Sequence, residues 1–224
     1  MTKRALILVE GQTEERFVKD VLAPVFYPRN LFLFSTILVT KRVKNGPNFK
    51  GGVTNYAKFR NDVERLLNSA GGALVTTLLD YYQLPSDFPG MGTRPAAGTP
   101  IQRVTHIEQA IAQNLGSPLN FKPFLVLHEF EAWLFSSPDE LPRAMTESHK
   151  QPQFAAIRAA VETPEDINER PQYAPSKRIE ELFPAYRKVL HGPTTAGRIG
   201  LDRIRAECPH FNAWFNELEA FAES

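Results

Sequence analysis

Short continuous runs of hydrophobic residues alternate along the first part of the chain with segments of helical spacing. The runs cover residues 5–9, 31–39, 73–79 and 124–127. A short apolar run without polar alternation is typical of a strand that is buried on both faces of a sheet. The order β-α-β-α-β-α-β predicts an α/β fold of Rossmann-like type, with a mostly parallel sheet of about four strands and helices on both faces.

The strand pattern ends near residue 137, and only helical spacing follows. Residues 153–161, 176–183 and 209–221 carry the three predicted helices of this region. We therefore expect an α/β core over residues 1–136 and a helical C-terminal extension over residues 137–224. The extension is expected to pack on the core, so that the two parts form a single folding unit.

Composition excludes several classes of protein. A single cysteine, Cys208, excludes an internal disulfide and a zinc finger. No apolar run approaches the ~20 residues that span a bilayer. Glu10 interrupts the first apolar run too early for a signal peptide, so we expect a cytoplasmic protein without membrane contact.

Acidic residues follow three of the four predicted strands. Glu10 follows the first strand, Asp80 the third and Glu129 the fourth, with Glu131 just beyond and Glu14 one helical turn after Glu10. The carboxyl ends of parallel strands share one edge of a sheet, where ligands usually bind. Five close carboxylates require cations, and Mg²⁺ or Mn²⁺ suits carboxylate oxygen. A single acid at a strand end is usually solvated surface, so the prediction depends on the coincidence of all three strand ends.

Several motifs give the chain a resemblance to a known family. They are VEGQTEERFVKDVLAP, LLDYYQLPSDFPG, HEFEAWLFS, PEDIN and PSKRI, and they extend from Glu10 to about Phe211. The sequence resembles the Toprim-like domain-of-unknown-function family 4276, which is related to nuclease domains of the overcoming-lysogenization-defect type. The resemblance implies the Toprim-like fold and metal-dependent making or breaking of phosphodiester bonds.

The resemblance also implies residue roles. Glu10 matches the first functional glutamate of Toprim-like nucleases, and Glu14 matches the second. Asp80 matches the first aspartate of their DxD pair. Tyr82 stands where the second aspartate would be, which argues against full two-metal activity. Lys177 is the candidate for the downstream lysine. The predicted catalytic residues are Glu10, Asp80 and Lys177, and the predicted metal ligands are Glu10, Glu14, Asp80, Glu129 and Glu131.

A basic segment lies between residues 21 and 61. It contains seven Lys and Arg residues and no Asp or Glu, although the whole chain has a formal charge of only +1. Such a segment can follow a phosphate backbone, or it can be a solvated loop or a protein interface. The predicted nucleic-acid contacts are Lys41, Arg42, Lys44, Lys50 and, from the PSKRI motif, Arg178.

Three functions fit these residues. The first is a Mg²⁺- or Mn²⁺-dependent nuclease acting on DNA rather than RNA. The resemblance associates it with defence against phage or mobile elements and with a partner ATPase, and the chain itself has no GxxxxGK[ST] motif. The second is a catalytically degraded sensor or interaction subunit of an ATPase complex, which Tyr82 favours. The third is a phosphatase acting on a small molecule or nucleotide, which would not need the basic segment.

Overall fold

The computed structural model of the chain describes all but a few short segments. For residues 39–41 and 49–50 it describes the backbone only. The described residues are 2–41, 49–50, 52–82, 84–167 and 173–224.

A parallel sheet forms the centre of the fold. The strands are β1 (Lys3–Val9), β2 (Leu31–Ile37), β3 (Val39–Lys41), β4 (Phe49–Lys50), β5 (Leu74–Asp80), β6 (Phe121–Lys122) and β7 (Leu125–Val126). The main sheet has the order β2-β1-β5-β6, and β7 pairs with the carboxyl end of β5. All of these pairs are parallel, whereas β3 and β4 form a separate antiparallel pair. The predicted α/β class and mostly parallel sheet are confirmed.

The predicted fourth strand consists of two short pieces. Pro123, which has no N–H to donate, separates β6 from β7. Thr77 fills the interruption, because its hydroxyl accepts from the Phe124 N–H at 2.8 Å and lies 2.6 Å from the Phe124 carbonyl oxygen. The side chain thus continues the pairing of β5 where the backbone ladder is broken.

Helices surround the sheet and make up nearly all of the C-terminal part. They are α1 (Gln12–Phe17), α2 (Ala23–Phe26), α3 (Tyr56–Ser69), α4 (Pro100–Asn114), α5 (Glu140–Ala144), α6 (Gln151–Ala159), α7 (Pro175–Leu182), α8 (Lys188–Ile199), α9 (Leu201–Glu207) and α10 (Pro209–Glu223). A π-helical turn at Val18–Leu22 joins α1 to α2, and a 3₁₀ helix covers Phe130–Ser136. Among the described residues, none of the helices combines the length and apolar composition that crossing a membrane requires.

The two faces of the sheet have separate hydrophobic cores. Leu8 and Val75 face α3 and α4, and they belong to a cluster with Phe59, Val63 and Ile107. On the opposite face, Ile7 and Val9 belong to a cluster that also contains Phe17, Trp133, Phe211 and Phe215. This second cluster joins the first strand to α10, so the C-terminal helices cover one whole face of the sheet.

Helices α8 and α9 were not predicted from the sequence, because α8 contains Pro193 and two glycines. Proline cannot donate a hydrogen bond to the carbonyl four residues earlier, here that of Val189. The side chain of Arg16 replaces this donor, with Nη1 2.7 Å from the Val189 oxygen. Packing against α1 therefore stabilises a helix that its own sequence disfavours.

Gly192 lets α8 approach α1 and the 3₁₀ helix closely. A Cβ atom at this position would lie 3.1 Å from Cε1 of Phe130, 3.3 Å from the Tyr186 hydroxyl and 3.4 Å from Cγ2 of Thr13. In the same helix, a Cβ at Gly197 would make only an ordinary contact, 3.5 Å from Cγ2 of Val21. The two glycines therefore offer a matched comparison.

We expect Gly192→Ala to lower the free energy of unfolding by up to about 2 kcal/mol, and to be about 1–3 kcal/mol less stable than Gly197→Ala. Overpacking typically costs about 1–3 kcal/mol, and the better helix propensity of alanine returns only about 1 kcal/mol. Gly197→Ala, which gains the propensity without the crowding, should be at least as stable as the wild type. Urea unfolding measures both, and equal stability of the two variants would contradict the close packing at Gly192.

Candidate active site

The acidic residues that follow three strands meet at one edge of the sheet. Glu10 follows β1, Asp80 ends β5, and Glu129 lies shortly after β7. Glu10 Oε2 accepts from the Asp80 N–H at 3.0 Å, and Asp80 Oδ1 accepts from the Phe130 N–H at 3.1 Å. These carboxylates therefore connect the three strand ends to one another.

Glu14 lies one turn after Glu10, at the start of α1. Its Oε2 accepts from the Gly11 N–H at 2.8 Å, as the glutamate of a capping box does. Glu14 is buried, and it does not line the pocket described below. Its position behind Glu10 adds negative charge to the same edge.

Lys188 lies between the two glutamates of the HEFEAWLFS motif. Its Nζ is 3.6 Å from Glu129 Oε1 and 3.5 Å from Glu131 Oε2. The Tyr186 hydroxyl donates to Glu131 Oε1 at 3.3 Å, and the Ser176 N–H donates to Glu129 Oε2 at 3.0 Å. Both glutamates are buried and anchored by residues of the C-terminal part.

These groups surround a pocket of about 330 Å³. Glu10, Asp80 and Glu129 form its acidic side, and Lys177 and Lys188 supply cationic groups. The remaining lining residues are Gly52, Val53, Tyr82, Leu84, Ala174 and Ser176. The pocket therefore combines acidic, basic and apolar surfaces at the carboxyl edge of the sheet, where α/β proteins usually bind ligands.

Burial raises the pKa values of most of these carboxyls. Burial raises the pKa of Glu14 to about 7, and Glu10 adds to the effect. Burial likewise raises the pKa of Glu131 to about 7, although Lys188 opposes the rise. The pKa of Glu10 is raised by burial, and that of Asp80 is raised well above its usual value by burial and then by the charge of Glu10.

The neighbouring carboxylates also raise the pKa of Lys188. Burial lowers its pKa, but the neighbouring carboxylates, with Glu131 the strongest, outweigh burial and raise the pKa above its usual value. Lys188 is therefore a cation at neutral pH. It offsets one of the negative charges at this edge and leaves the others.

The donor set fits a hard divalent cation in its chemistry. Glu10 and Asp80 each use one oxygen for a backbone N–H, and each keeps a second oxygen for another partner. Carboxylate oxygens are the usual ligands of Mg²⁺ and Mn²⁺. As placed, no three acidic, histidine or cysteine side chains within the described part of the chain form a group that could hold a metal ion.

The predicted lysine and arginine of the PSKRI motif have other partners. Lys177 is exposed at the pocket, and its Nζ lies 2.6 Å from Glu180 Oε2. The Nε of Arg178 donates to the Tyr173 carbonyl at 3.0 Å, and its guanidinium lies over the Tyr173 ring. Lys188, which sequence reasoning missed, is the lysine that contacts the buried glutamates.

Four of the five predicted nucleic-acid contacts have side chains outside the described part of the structure. Arg42 and Lys44 lie outside the described residues, and Lys41 and Lys50 are described by their backbone alone. That backbone forms the β3–β4 pair, in which Lys41 is opposite Phe49 and Lys50 is opposite Val39. The nucleic-acid contacts of this segment stay a prediction.

The PEDIN motif has a structural role. Glu165 is fully buried, and its two carboxylate oxygens accept from the N–H groups of His210 at 2.8 Å and Phe211 at 3.0 Å. These N–H groups belong to the first turn of α10, where a helix needs acceptors. Glu165 thus fixes α10 against the core and does not line the pocket.

The fold and the pocket define an α/β protein with a carboxylate-rich site at the carboxyl edge of a parallel sheet. The family model DUF4276, a domain of unknown function, matches residues 9–219. The chain therefore belongs to the DUF4276 family. No curated protein and no solved structure matches the chain.

The raised pKa values of Glu14 and Glu131 predict a stability that falls as pH rises. Between the ordinary pKa of 4.5 and the folded value of about 7, the folded state keeps protons that the unfolded state has lost. We expect the free energy of unfolding to fall by on the order of 5 kcal/mol from pH 5 to pH 8, with about half of the loss from each group. Urea unfolding across this range, without divalent cations, measures the effect.

Glu131→Gln and Glu14→Gln should each flatten this profile, because an amide does not titrate. Glu15→Gln is the matched control, since Glu15 adjoins Glu14 in α1 but is only half-buried. A wild-type profile that is flat or rises over this range would contradict the raised pKa values of these buried carboxyls.

Proposed function

We propose that the protein is a Toprim-like nuclease that uses Mg²⁺ or Mn²⁺ to hydrolyse phosphodiester bonds, in DNA rather than RNA. One observation carries the proposal: Glu10, Asp80 and Glu129, from three strand ends, line one pocket together with Lys188. Phosphodiester hydrolysis needs positive charge on the phosphate and an activated water, and a carboxylate-bound divalent ion supplies both.

The Toprim-like relationship is part of this proposal. Its support is the order of the acids along the chain, with Glu10 after β1, Glu14 one turn later and Asp80 at the end of β5. The parallel sheet agrees with the fold that the resemblance implies. Tyr82 replaces the second aspartate of DxD, and Glu129 supplies a carboxylate at the same pocket instead.

The chain's own residues would divide the work. Glu10, Asp80 and Glu129 would hold the cation. Lys188 would neutralise charge that develops on the phosphate in the transition state, because it is a cation that lines the pocket. Glu131 and Tyr186 would position Lys188, since Glu131 contacts both its ammonium group and the Tyr186 hydroxyl.

A degraded, non-catalytic Toprim-like subunit is the second candidate. One observation favours it: Tyr82 occupies the position where the DxD pair has its second aspartate. In this role the domain would serve as the sensor or interaction subunit of an ATPase complex. The association of either role with a partner ATPase, and with defence against phage or mobile elements, belongs to the same proposal.

Removal of the pocket carboxylates tests the proposal directly. Plasmid, linear duplex and single-stranded DNA, with RNA as a further substrate, are incubated with the protein in Mg²⁺ or Mn²⁺. Loss of a metal's outer-shell partner costs about 10–100-fold, so Glu10→Gln and Asp80→Asn should each lower cleavage by at least about 100-fold. Gel electrophoresis of the products measures the rates.

Glu15→Gln is again the matched control and should cleave like the wild type. Cleavage that persists in both Glu10→Gln and Asp80→Asn would exclude this pocket as the active site. Absence of cleavage, together with absence of Mg²⁺ or Mn²⁺ binding in calorimetry, would favour the non-catalytic subunit. Cleavage of small phosphate esters without any cleavage of DNA or RNA would identify a phosphatase.

A comparison of Lys188 with Lys177 tests the charge-stabilising role proposed for Lys188, a residue that was not predicted from the sequence. Lys188→Met should lower the cleavage rate about 100- to 1,000-fold, as loss of a charge-stabilising donor does. Lys177→Met should change it less than about threefold, because an exposed ion pair contributes little. Thermal unfolding checks that both variants fold, and Lys188→Arg should recover part of the activity. Equal losses for the two lysines, or a larger loss for Lys177→Met, would contradict the assignment.

A further inference from the structure

The pocket has an apolar wall beside its acidic side. Tyr82, Leu84 and Val53 line this wall, and Ala174 continues it toward α7. Pockets that bind small molecules usually combine apolar lining with a few polar groups, so this wall is suited to an apolar part of a ligand whose charged part lies at the carboxylates.

Backbone hydrogen bonds hold Tyr82 next to the carboxyl end of β5. After β5 ends, the Tyr81 N–H donates to the Val126 carbonyl and the Tyr82 N–H donates to the His128 carbonyl, each at 2.9 Å. The chain bends at Tyr81 and turns at Tyr82, and both Asp80 and Tyr82 line the pocket. Tyr82 is half-buried, so part of its ring is available to a ligand.

We propose that the pocket binds one nucleotide of an unpaired strand, with the base against Tyr82 and the phosphate toward Glu10, Asp80 and Lys188. This substrate class rests on the proposed phosphodiesterase function. The volume of about 330 Å³ lies near the lower end of the range of ~300–1,000 Å³ for small-molecule pockets. That size suits a single nucleotide and not a base pair.

The aromatic wall selects unpaired nucleotides for a physical reason. In a duplex, the neighbours of each base already cover its two faces, whereas a base in a single strand or at a frayed end can stack on a side chain. Aromatic stacking is nearly independent of sequence because every base has a π face. The protein should therefore prefer single strands and strand ends, with little sequence preference.

Fluorescence anisotropy with a labelled single-stranded oligonucleotide tests this inference. Ca²⁺ replaces Mg²⁺ so that oxygen ligands are engaged while cleavage is avoided. Tyr82→Ala should weaken single-strand binding by roughly 5- to 100-fold, the range that loss of one stacking contact gives. Tyr82→Phe should bind within about twofold of the wild type, and Tyr82→Leu, which keeps bulk without an aromatic face, should resemble Tyr82→Ala.

The matched control is Tyr27→Ala, because Tyr27 is an exposed tyrosine outside the pocket. A covalently closed circular duplex, which has no strand ends, is the second control and should bind less tightly and without dependence on Tyr82. Competition by a nucleoside monophosphate separates a pocket for a free nucleotide from one for a strand, since only the latter binds the oligonucleotide more tightly than the monomer. Circular dichroism checks that each variant is folded.

Failure of this inference differs from failure of the proposed function. Metal-dependent cleavage that Glu10→Gln abolishes, with single-strand affinity unchanged in Tyr82→Ala, would overturn the inference and leave the nuclease. Absence of any cleavage, with binding that still depends on Tyr82, would overturn the nuclease and support the nucleotide pocket. Equal weakening of duplex and single-strand binding in Tyr82→Ala, or tighter binding of the monomer than of the strand, would overturn the inference.

Discussion

The ion contacts of Lys188 with Glu129 and Glu131 are the interaction on which the site depends. Five carboxyl groups gather at one edge of the sheet, and burial opposes the ionisation of most of them. Lys188 places one cation among them, 3.5–3.6 Å from two of the glutamates. Among the described residues, the other side chain that hydrogen-bonds Glu131 is Tyr186, whose hydroxyl is neutral, so the compensating charge at Glu131 comes from Lys188.

The position of Lys188 depends in turn on the packing of α8. Gly192 allows that helix to approach Phe130, and Arg16 occupies the carbonyl that Pro193 leaves without a donor. The first helix of the chain therefore stabilises a helix from its last quarter. Because α8 starts with Lys188, the C-terminal helices both cover one face of the sheet and complete the pocket.

The fold could be predicted from the sequence where the signal is local. Continuous apolar runs gave three of the strands within a few residues, and the fourth differed only because Pro123 divides it. The acids Glu10, Asp80 and Glu129 could be found because parallel strands bring their carboxyl ends together, and that rule depends on topology alone. The structure places all three at one pocket.

Lys188 could not be predicted in the same way. It lies in no recognisable motif, and its helix contains residues that disfavour helices. Lys177, which the order of motifs suggested, lies only 11 positions earlier but is paired with Glu180 on the surface. Only the tertiary packing of α8 against α1 distinguishes the two lysines. A general electrostatic argument, that five carboxylates need a cation, could predict a lysine but not its number.

The hydrogen bonds to the carboxylates indicate which charge state the site favours. The N–H groups of Gly11, Asp80, Phe130 and Ser176 donate to Glu14, Glu10, Asp80 and Glu129 respectively. A protonated carboxyl needs an acceptor for its proton, whereas the N–H donors to Glu10 and Glu14 favour the ionised form of these two carboxyls. Burial pushes in the opposite direction, toward protonation.

The two opposed effects leave the edge of the sheet short of positive charge. Each of these carboxyls that ionises adds a negative charge, and Lys188 offsets only one, so a cation in the pocket would stabilise the ionised forms. The carboxylate oxygens that remain without a backbone donor are the ligands that a hard divalent ion prefers. The balance between burial and backbone donors is therefore the strongest physical reason to look for such an ion.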